Sequence, residues 1–216
     1  MLFQPNDTIL FQGDSVTDCG RSRDDDSYLG NGYPALIKAA LDAYVPELKL
    51  RVINRGVSGD RVKNLNARWD ADCVAVKPDI VSILIGINDT WRAFDSNDPT
   101  SSAAYAEGYH TLLKRAKQET TVRQLILMDP FVLPVPEDRR AWRQDLDPRI
   151  HIVRDLAREF KAIYIPLDSL FAVESIKLGC EALAADGVHP TAVGHAFIAK
   201  HWMKAVLHKG RGATSC

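Results

Sequence analysis

Three residues whose side chains could act together in nucleophilic catalysis stand far apart in this chain: Ser15 near its beginning, and Asp186 and His189 near its end. A histidine is the natural base for a serine hydroxyl at neutral pH, and a carboxylate can fix the tautomer of that histidine and stabilise its protonated form. Asp186 and His189 flank Gly187 on a predicted turn, so one short loop can present both side chains to the same point. The order serine, aspartate, histidine is compatible with a triad, whose chemistry would be acyl transfer through the serine.

Each member of this set also has a simpler structural interpretation. Ser15 follows an apolar stretch and Gly13, which is where a serine, or Asp14 before it, would cap a helix. Asp186 could cap its own turn, with His189 there by coincidence. The presence of a complete serine, histidine and carboxylate set favours the catalytic interpretation, because a nucleophilic serine needs a base.

Acyl transfer also needs hydrogen-bond donors aimed at the oxyanion of the tetrahedral intermediate, and Gly59 and Asn88 are the candidates. Each follows a predicted strand, as Ser15 does, and the carboxyl ends of parallel strands meet at one edge of a sheet. Taken singly, Gly59 is a turn glycine and Asn88 a helix cap. Taken together with Ser15, they predict that three loops converge on one oxygen.

The elements that must position these residues follow from hydrophobic patterning. Short apolar, β-branched runs predict strands, and longer segments rich in helix formers predict the helices between them. The predicted strands are 8–11, 50–54, 80–85, 124–128 and 162–165, and the predicted helices are 33–44, 61–76, 103–118, 146–161, 168–178 and 192–207. This alternation predicts one α/β domain over residues 1–216, a three-layer α/β/α sandwich around a roughly five-stranded parallel sheet.

One predicted connection is unusually long. Residues 132–147 contain Pro134, Pro136 and a dense mixture of charges around Trp142, and Pro148 follows immediately. Loops of this length are often lids, binding loops or subunit contacts. The segment is therefore a candidate contact in a homo-oligomer.

Composition disfavours several classes of protein. Lys plus Arg is 27 and Asp plus Glu is 28, so the formal net charge is −1. The chain therefore lacks the excess of positive charge that is typical of nucleic-acid-binding proteins. No stretch predicts a membrane span, and the N-terminus has neither the basic nor the apolar region of a secretory signal. The cysteines form no Cys-x-x-Cys pair, which predicts reduced thiols of a cytoplasmic protein rather than a disulfide framework or a metal site, with no cofactor expected. They are Cys19, which is expected to be structural although it is close to Ser15, and Cys73, Cys180 and Cys216.

Four short blocks carry the candidate residues: Gly13-Asp14-Ser15-Val16-Thr17-Asp18, Asn54-Arg55-Gly56-Val57-Ser58-Gly59, Gly86-Ile87-Asn88-Asp89 and Asp186-Gly187-Val188-His189-Pro190. In this order they resemble the motifs of the SGNH (GDSL-type) serine hydrolases. The family nickname has Leu where this chain has Val16, a departure that touches no catalytic position. The resemblance implies a flavodoxin-like fold and metal-free ester hydrolysis. It also implies Ser15 as nucleophile and backbone donor, Gly59 as a backbone donor, Asn88 as a side-chain donor, His189 as base and Asp186 as its orienting partner.

Within that family, segments 18–21 and 88–92 most resemble the intracellular carbohydrate acetylesterases, including acetyl xylan esterases. Trp91 could stack on a sugar face and Arg21 or Arg92 could bind hydroxyl groups, with Asp14 a further candidate contact. A core tryptophan and solvated arginines are equally ordinary. No long apolar groove is evident beside the motifs, so the expected substrate is a small-molecule ester with a short acyl group, an acetylated sugar.

Other functions stay open at this point. A lysophospholipase, a thioesterase or a general short-chain carboxylesterase would use the same residues on the same fold. A catalytically silent sugar-binding module would explain Trp91 and the arginines, but it would leave the serine, histidine and carboxylate set unexplained.

Overall fold

In a computed structural model, which describes residues 2–209, five parallel strands form one sheet with the order β2-β1-β3-β4-β5. The strands are β1 (Thr8–Gly13), β2 (Arg51–Asn54), β3 (Ile80–Leu84), β4 (Gln124–Met128) and β5 (Ile163–Ile165). All neighbouring strands run parallel, and Leu10 in β1 is level with Ile53 on one side and Val81 on the other. The predicted five-stranded parallel sheet is confirmed.

Helices connect the strands and cover both faces of the sheet. They are α1 (Ser15–Asp18), α2 (Tyr33–Tyr44), α3 (Val62–Trp69), α4 (Ile87–Asp95), α5 (Ser102–Glu119), α6 (Arg143–Glu159), α7 (Leu167–Leu178), α8 (Cys180–Leu183) and α9 (Ala192–Lys209). Short 3₁₀ segments occupy Pro46–Leu48 and Glu137–Trp142, and a π-helical turn, Asp70–Val74, extends α3. Within residues 2–209, no helix is long and apolar enough to cross a bilayer.

The two faces of the sheet bury two separate apolar cores. Successive residues of a strand point to opposite faces. Ile9 and Phe11 of β1 therefore pack in one core with Trp202 of α9, whereas Leu10 packs in the other core with Trp69 of α3. This arrangement confirms the three-layer α/β/α architecture.

The stretch predicted as a long loop, 132–147, is largely helical, and this prediction is wrong. The second 3₁₀ segment and the start of α6 occupy most of it, so α6 begins before the predicted helix 146–161, and Pro148 lies in its interior. Trp142 and Leu146 are buried in a small third apolar cluster, which they form with Ile87, Val132, Ile150 and Val188. Burial of two large side chains stabilises the structure by an amount comparable to the cost of a proline in a helix, about 3 kcal/mol.

The carboxyl ends of β1, β2 and β3 lie at one edge of the sheet and lead to the candidate residues. Ser15 begins α1 after β1, Gly59 lies in the loop after β2, and Asn88 lies in the first turn of α4 after β3. Asp186 and His189 lie in the turn between α8 and α9. The parallel sheet therefore brings together segments that are distant in sequence.

Candidate active site

A sharp transition from strand to helix presents the candidate nucleophile. β1 ends at Gly13, where a side chain would overlap Thr17 and the backbone of β3, so the close packing requires glycine. Asp14 then caps α1, and its carboxylate accepts a hydrogen bond of 3.0 Å from the backbone of that helix. The capping role that the sequence left open belongs to Asp14, which leaves the Ser15 hydroxyl available for another partner.

That partner is the histidine predicted as its base. Ser15 Oγ lies 3.0 Å from His189 Nε2, and His189 Nδ1 lies 2.6 Å from Asp186 Oδ2. Because an ionised carboxylate can only accept hydrogen bonds, Nδ1 carries the ring proton and Nε2 accepts the hydrogen of the serine. The structure thus brings the three predicted residues into one hydrogen-bonded chain.

The Asp186 carboxylate is also held by the backbone. Its Oδ1 accepts hydrogen bonds from the N–H groups of Val188, at 3.0 Å, and His189, at 2.7 Å. Partial burial raises the pKa of Asp186, but these bonds and the bond from the imidazole outweigh it, so the pKa lies below its usual value. Asp186 is therefore ionised at neutral pH. The His189 and Asp186 side chains are 47% and 41% exposed, so the site is open to solvent.

Gly59 lies in the loop after β2 and Asn88 in the first turn of α4. A hydrogen bond from Asn88 to Asp60, the residue after Gly59, connects the two segments. Gly59 has a φ of +85°, a conformation that favours glycine, and it lies in an exposed part of its loop. Asn88 is 4% exposed, and its Nδ2 donates a hydrogen bond of 3.1 Å to the carbonyl oxygen of Asp60. The amide has a second N–H hydrogen for another acceptor. The structure thus places both candidate donors at the sheet edge that carries Ser15.

Among the predicted substrate contacts, Trp91 lies beside the triad. Its ring centroid is 5.8 Å from that of His189. The Arg139 guanidinium lies 5.3 Å from the centre of the Trp91 ring and 4.1 Å from that of the Trp142 ring. Arg139 was not among the residues predicted from the sequence, where the mixture of charges around Trp142 was its one signal. Trp91, Arg139 and Trp142 form a cluster next to the histidine.

The other three predicted contacts have structural partners. Asp14 is 1% exposed, and burial raises its pKa to about 7. Arg21 Nε donates a hydrogen bond of 2.7 Å to the Gly56 carbonyl oxygen, and Arg92 forms an ion pair with Asp95 along α4. The structure therefore gives no support for substrate contact by Asp14 or Arg21, because both side chains are turned toward the protein.

Two buried carboxylates that follow strands have structural roles. Asp89 accepts a hydrogen bond of 3.2 Å from Val62 N–H and so anchors the start of α3. Asp129 accepts hydrogen bonds from the backbone of Asp168, at 3.1 Å, and from the Tyr164 hydroxyl. Burial raises the pKa of each carboxylate to about 6. Neither Asp89 nor Asp129 contacts the triad through these bonds.

Cysteine thiols or a bound metal ion would be other sources of reactivity. Cys19, Cys73 and Cys180 are free thiols, and Cys216 lies outside the described residues. In the part of the chain that the structure describes, no group of three or more His, Cys, Asp or Glu side chains is placed to hold a metal ion.

Known proteins match almost the whole chain. The model of the GDSL-like lipase/acylhydrolase family matches residues 11–197. An acetylxylan esterase from Geobacillus stearothermophilus is 38% identical over 204 residues, which cover 92% of this chain and 93% of that protein. The crystal structure of a catalytic mutant of an acetylxylan esterase from that organism matches with a TM-score of 0.87 at 34% identity, covering 95% of this chain and 96% of the other. A putative GDSL-like lipase from Parabacteroides merdae matches with a TM-score of 0.90 at 33% identity, covering 94% and 96%. The chain belongs to the GDSL-like lipase/acylhydrolase family and is a carboxylic ester hydrolase.

Proposed function

We propose that this protein removes short acyl groups from carbohydrate esters, specifically acetyl groups from xylo-oligosaccharides, through an acyl-enzyme intermediate on Ser15. The observation that carries the proposal is the 3.0 Å contact between Ser15 Oγ and His189 Nε2, in a site that is open to solvent. The contact supplies an activated nucleophile, and the open site gives access to a polar substrate. The acetylxylan specificity is supported by the 38% identity to a protein named as an acetylxylan esterase.

In the acylation step, Ser15 Oγ attacks the carbonyl carbon of the ester while His189 Nε2 takes the hydroxyl proton. The carbonyl π electrons move to its oxygen, which becomes the oxyanion. The protonated imidazole, stabilised by Asp186, then gives its proton to the sugar oxygen as the bond from that oxygen to the carbonyl carbon breaks. The sugar leaves as an alcohol, and the acetyl group stays on Ser15.

Three donors receive the oxyanion in this mechanism: the backbone N–H groups of Ser15 and Gly59, and Nδ2 of Asn88. Donors that are fixed before the reaction stabilise the developing charge without reorganising, and each is worth about 10²-fold to 10³-fold in kcat. The Asn88 amide is held by its bond to the Asp60 carbonyl oxygen, which supports this role.

In the deacylation step, water attacks the acetyl carbon while His189 takes one of the protons of the water. The same donors bind the second oxyanion. When this intermediate collapses, the bond between Ser15 Oγ and the acetyl carbon breaks, and His189 returns the proton to Oγ. Acetate is released, and the enzyme regains its starting state.

Trp91 supports a sugar as the leaving group. Because His189 must protonate the leaving oxygen, the sugar has to lie on the His189 side of the bond that breaks. Trp91 packs on that side, 5.8 Å from the imidazole, and its indole offers a flat apolar surface to a sugar ring. Arg139 also contacts the indole, with its guanidinium 5.3 Å from the ring centre.

A Ser15→Ala variant tests the mechanism. We expect hydrolysis of p-nitrophenyl acetate and acetate release from acetylated xylo-oligosaccharides to fall by at least about 10³-fold, with no effect of a chelator on the wild type. Ser175→Ala, on α7, is the matched control and should keep full activity. Turnover by Ser15→Ala at the wild-type rate would contradict the proposal.

A long-chain lysophospholipase or thioesterase activity is the alternative on the same fold. A series of p-nitrophenyl esters from acetate to palmitate separates the two. We expect kcat/KM to be highest for acetate and to fall with every added carbon pair, whereas an optimum at long chains would establish the alternative. Location in the cytoplasm and self-association stay predictions, which fractionation and native mass measurement can test.

A further inference from the structure

We infer that Asp18 is a positioning residue, which fixes the backbone around Gly59 relative to Ser15 and so sets one donor of the oxyanion hole. The inference rests on the proposed function, in which the Gly59 N–H group receives the oxyanion. Asp18 is the last residue of α1, the short helix that Ser15 begins. Asp18 ends the first sequence block, and the mechanism described above gives it no role.

The Asp18 carboxylate holds the residue that precedes Gly59. Its Oδ2 accepts hydrogen bonds from the Ser58 backbone N–H and the Ser58 hydroxyl, both at 3.1 Å. The same oxygen lies 2.6 Å from Arg23 Nη2, which pairs with its charge. The Asp18 side chain is 7% exposed, so the carboxylate itself is largely shielded from water.

The part of the loop that lies nearer to β2 is held by residues that follow α1. Arg21 Nε and Arg23 Nη1 donate to the Gly56 carbonyl oxygen at 2.7 and 3.0 Å. A side chain at Gly56 would overlap the backbone of Asp18, which shows how closely α1 and the loop approach. Beyond this point the loop turns outward, and Ser58 and Gly59 are both exposed. A backbone bond of 3.1 Å from Asp60 N–H to the Val57 carbonyl oxygen closes the tip of the loop on itself, and Asp18 is the side chain that fixes this tip to α1.

The position of Ser58 matters because it controls the direction of the Gly59 N–H group. That N–H belongs to the peptide unit that joins Ser58 to Gly59. Gly59, with a φ of +85°, has no side chain whose packing could hold this unit in place. An oxyanion donor must lie within about 2.7–3.1 Å of the developing charge, and a displacement of about 1 Å can cost about 10²-fold in rate. Loss of the Asp18 contacts should therefore weaken transition-state binding while leaving substrate binding intact.

The test is the variant Asp18→Ala, because the oxygen of an asparagine could still accept the bonds from Ser58. We expect kcat for p-nitrophenyl acetate to fall by about 10-fold to 100-fold with KM within about twofold of wild type. The rate constant for inactivation by a fluorophosphonate should fall in parallel, because that reaction also places an oxygen in the oxyanion hole. A purely structural role for Asp18 would not produce this separation of kcat from KM.

Asp7→Ala is the matched control. Asp7 is also a buried carboxylate, 4% exposed, with an arginine partner, Arg123, at 2.5 Å and a backbone N–H donor, that of Gln4, at 2.7 Å. It precedes β1 and so lies at the opposite edge of the sheet from Ser15. Asp7→Ala should lower Tm while leaving kcat unchanged.

A double-mutant cycle with Ser58→Ala completes the test. We expect Ser58→Ala to lower kcat in the wild type but to have no further effect in Asp18→Ala, because the hydroxyl acts through the carboxylate. Should Asp18→Ala not fold, Ser58→Ala, at an exposed position, carries the test by itself and should lower kcat with KM unchanged. Wild-type kcat in Asp18→Ala or, where that variant does not fold, in Ser58→Ala, or additive effects in the cycle, would overturn the role of Asp18. A Ser15→Ala variant with wild-type turnover would instead overturn the proposed function, so the two failures are distinguishable.

Discussion

The Trp91 indole packs against the His189 imidazole with 5.8 Å between ring centroids. In the proposed mechanism His189 Nε2 protonates the leaving group, which therefore lies close to Trp91. Trp91→Ala should therefore lower kcat/KM for acetylated xylo-oligosaccharides more than for ethyl acetate, whose leaving group has no ring. The contrast should be about 10-fold, the worth of roughly 1.4 kcal/mol of ring contact.

Trp91→Phe is the control for this prediction, because a phenyl ring keeps most of the flat surface. It should retain most of the preference for the sugar ester. If Trp91→Ala lowers kcat/KM for both substrates equally, Trp91 supports the orientation of His189 and does not contact the sugar.

The 2.6 Å contact between His189 Nδ1 and Asp186 Oδ2 leads to a second prediction. Asp186→Asn should lower kcat by about 10³-fold to 10⁴-fold, because an amide neither enforces the required tautomer nor stabilises the imidazolium. The variant should fold with nearly the wild-type circular dichroism spectrum. Asp155→Asn, which removes an exposed carboxylate paired with Arg158 on α6, should leave kcat unchanged. A loss of less than about 10-fold in Asp186→Asn would contradict a triad.

Asp14 should make the stability of the protein depend on pH. Burial raises its pKa to about 7 from an ordinary 3.8, so the folded protein retains a proton that the unfolded chain has lost between these values. Stability from this group is therefore greatest below pH 3.8 and falls as the pH rises toward 7, by about 1.4 kcal/mol per pH unit and on the order of 4 kcal/mol in all. Above pH 7 the effect is constant.

Asp14→Asn should remove this dependence, since its side-chain oxygen can still accept the helix-capping bond without carrying charge. Urea unfolding at intervals from pH 5 to pH 8 measures it. The stability of the variant relative to wild type should rise with pH and then level off near pH 7. Taking this difference cancels the contribution of Asp129, whose pKa is also raised by burial. A difference that stays the same at every pH would show that Asp14 titrates normally.

The sheet could be predicted from the sequence because its signals are local. Each strand is a short apolar run, and the candidate residues come directly after strand ends, so sheet topology alone brings Ser15, Gly59 and Asn88 to one edge. The helical residues 137–145 were missed because Pro134, Pro136 and the charges around Trp142 indicate a loop locally, whereas burial of Trp142 and Leu146 in the third cluster is a tertiary effect.

The surroundings of the site could not be predicted in the same way. Arg21 and Asp14 are close to Ser15 in the chain, but burial and hydrogen bonding turn their side chains inward. The contacts of Arg139 with Trp91 and of Asp18 with Ser58 join segments that are far apart in sequence, and no pattern within either segment announces them. Such contacts depend on how loops pack over the sheet edge.

Cys19 lies one helical turn beyond Ser15, and its thiol faces a histidine, which makes it a competing nucleophile. Cys19 Sγ is 3.4 Å from His195 Nε2, but Tyr33 N–H donates to His195 Nδ1 at 3.2 Å. Nδ1 is therefore the acceptor, and Nε2 carries the proton in the neutral ring. Burial lowers the pKa of His195 to about 4 and raises the pKa of the Cys19 thiol. His195 thus cannot take a proton from Cys19, and the thiol stays protonated at neutral pH.

Cys19→Ala should consequently keep kcat within about threefold of wild type, because only a thiolate is an effective nucleophile. Iodoacetamide at pH 7 should leave the activity of the wild type intact, while a fluorophosphonate should inactivate it and label Ser15. In Ser15→Ala, which retains Cys19, neither activity nor fluorophosphonate labelling should remain. The contradicting outcome has two parts: iodoacetamide inactivates the enzyme in proportion to alkylation of Cys19, and Cys19→Ala is inactive. Both together would show that the nucleophile is Cys19 and not Ser15.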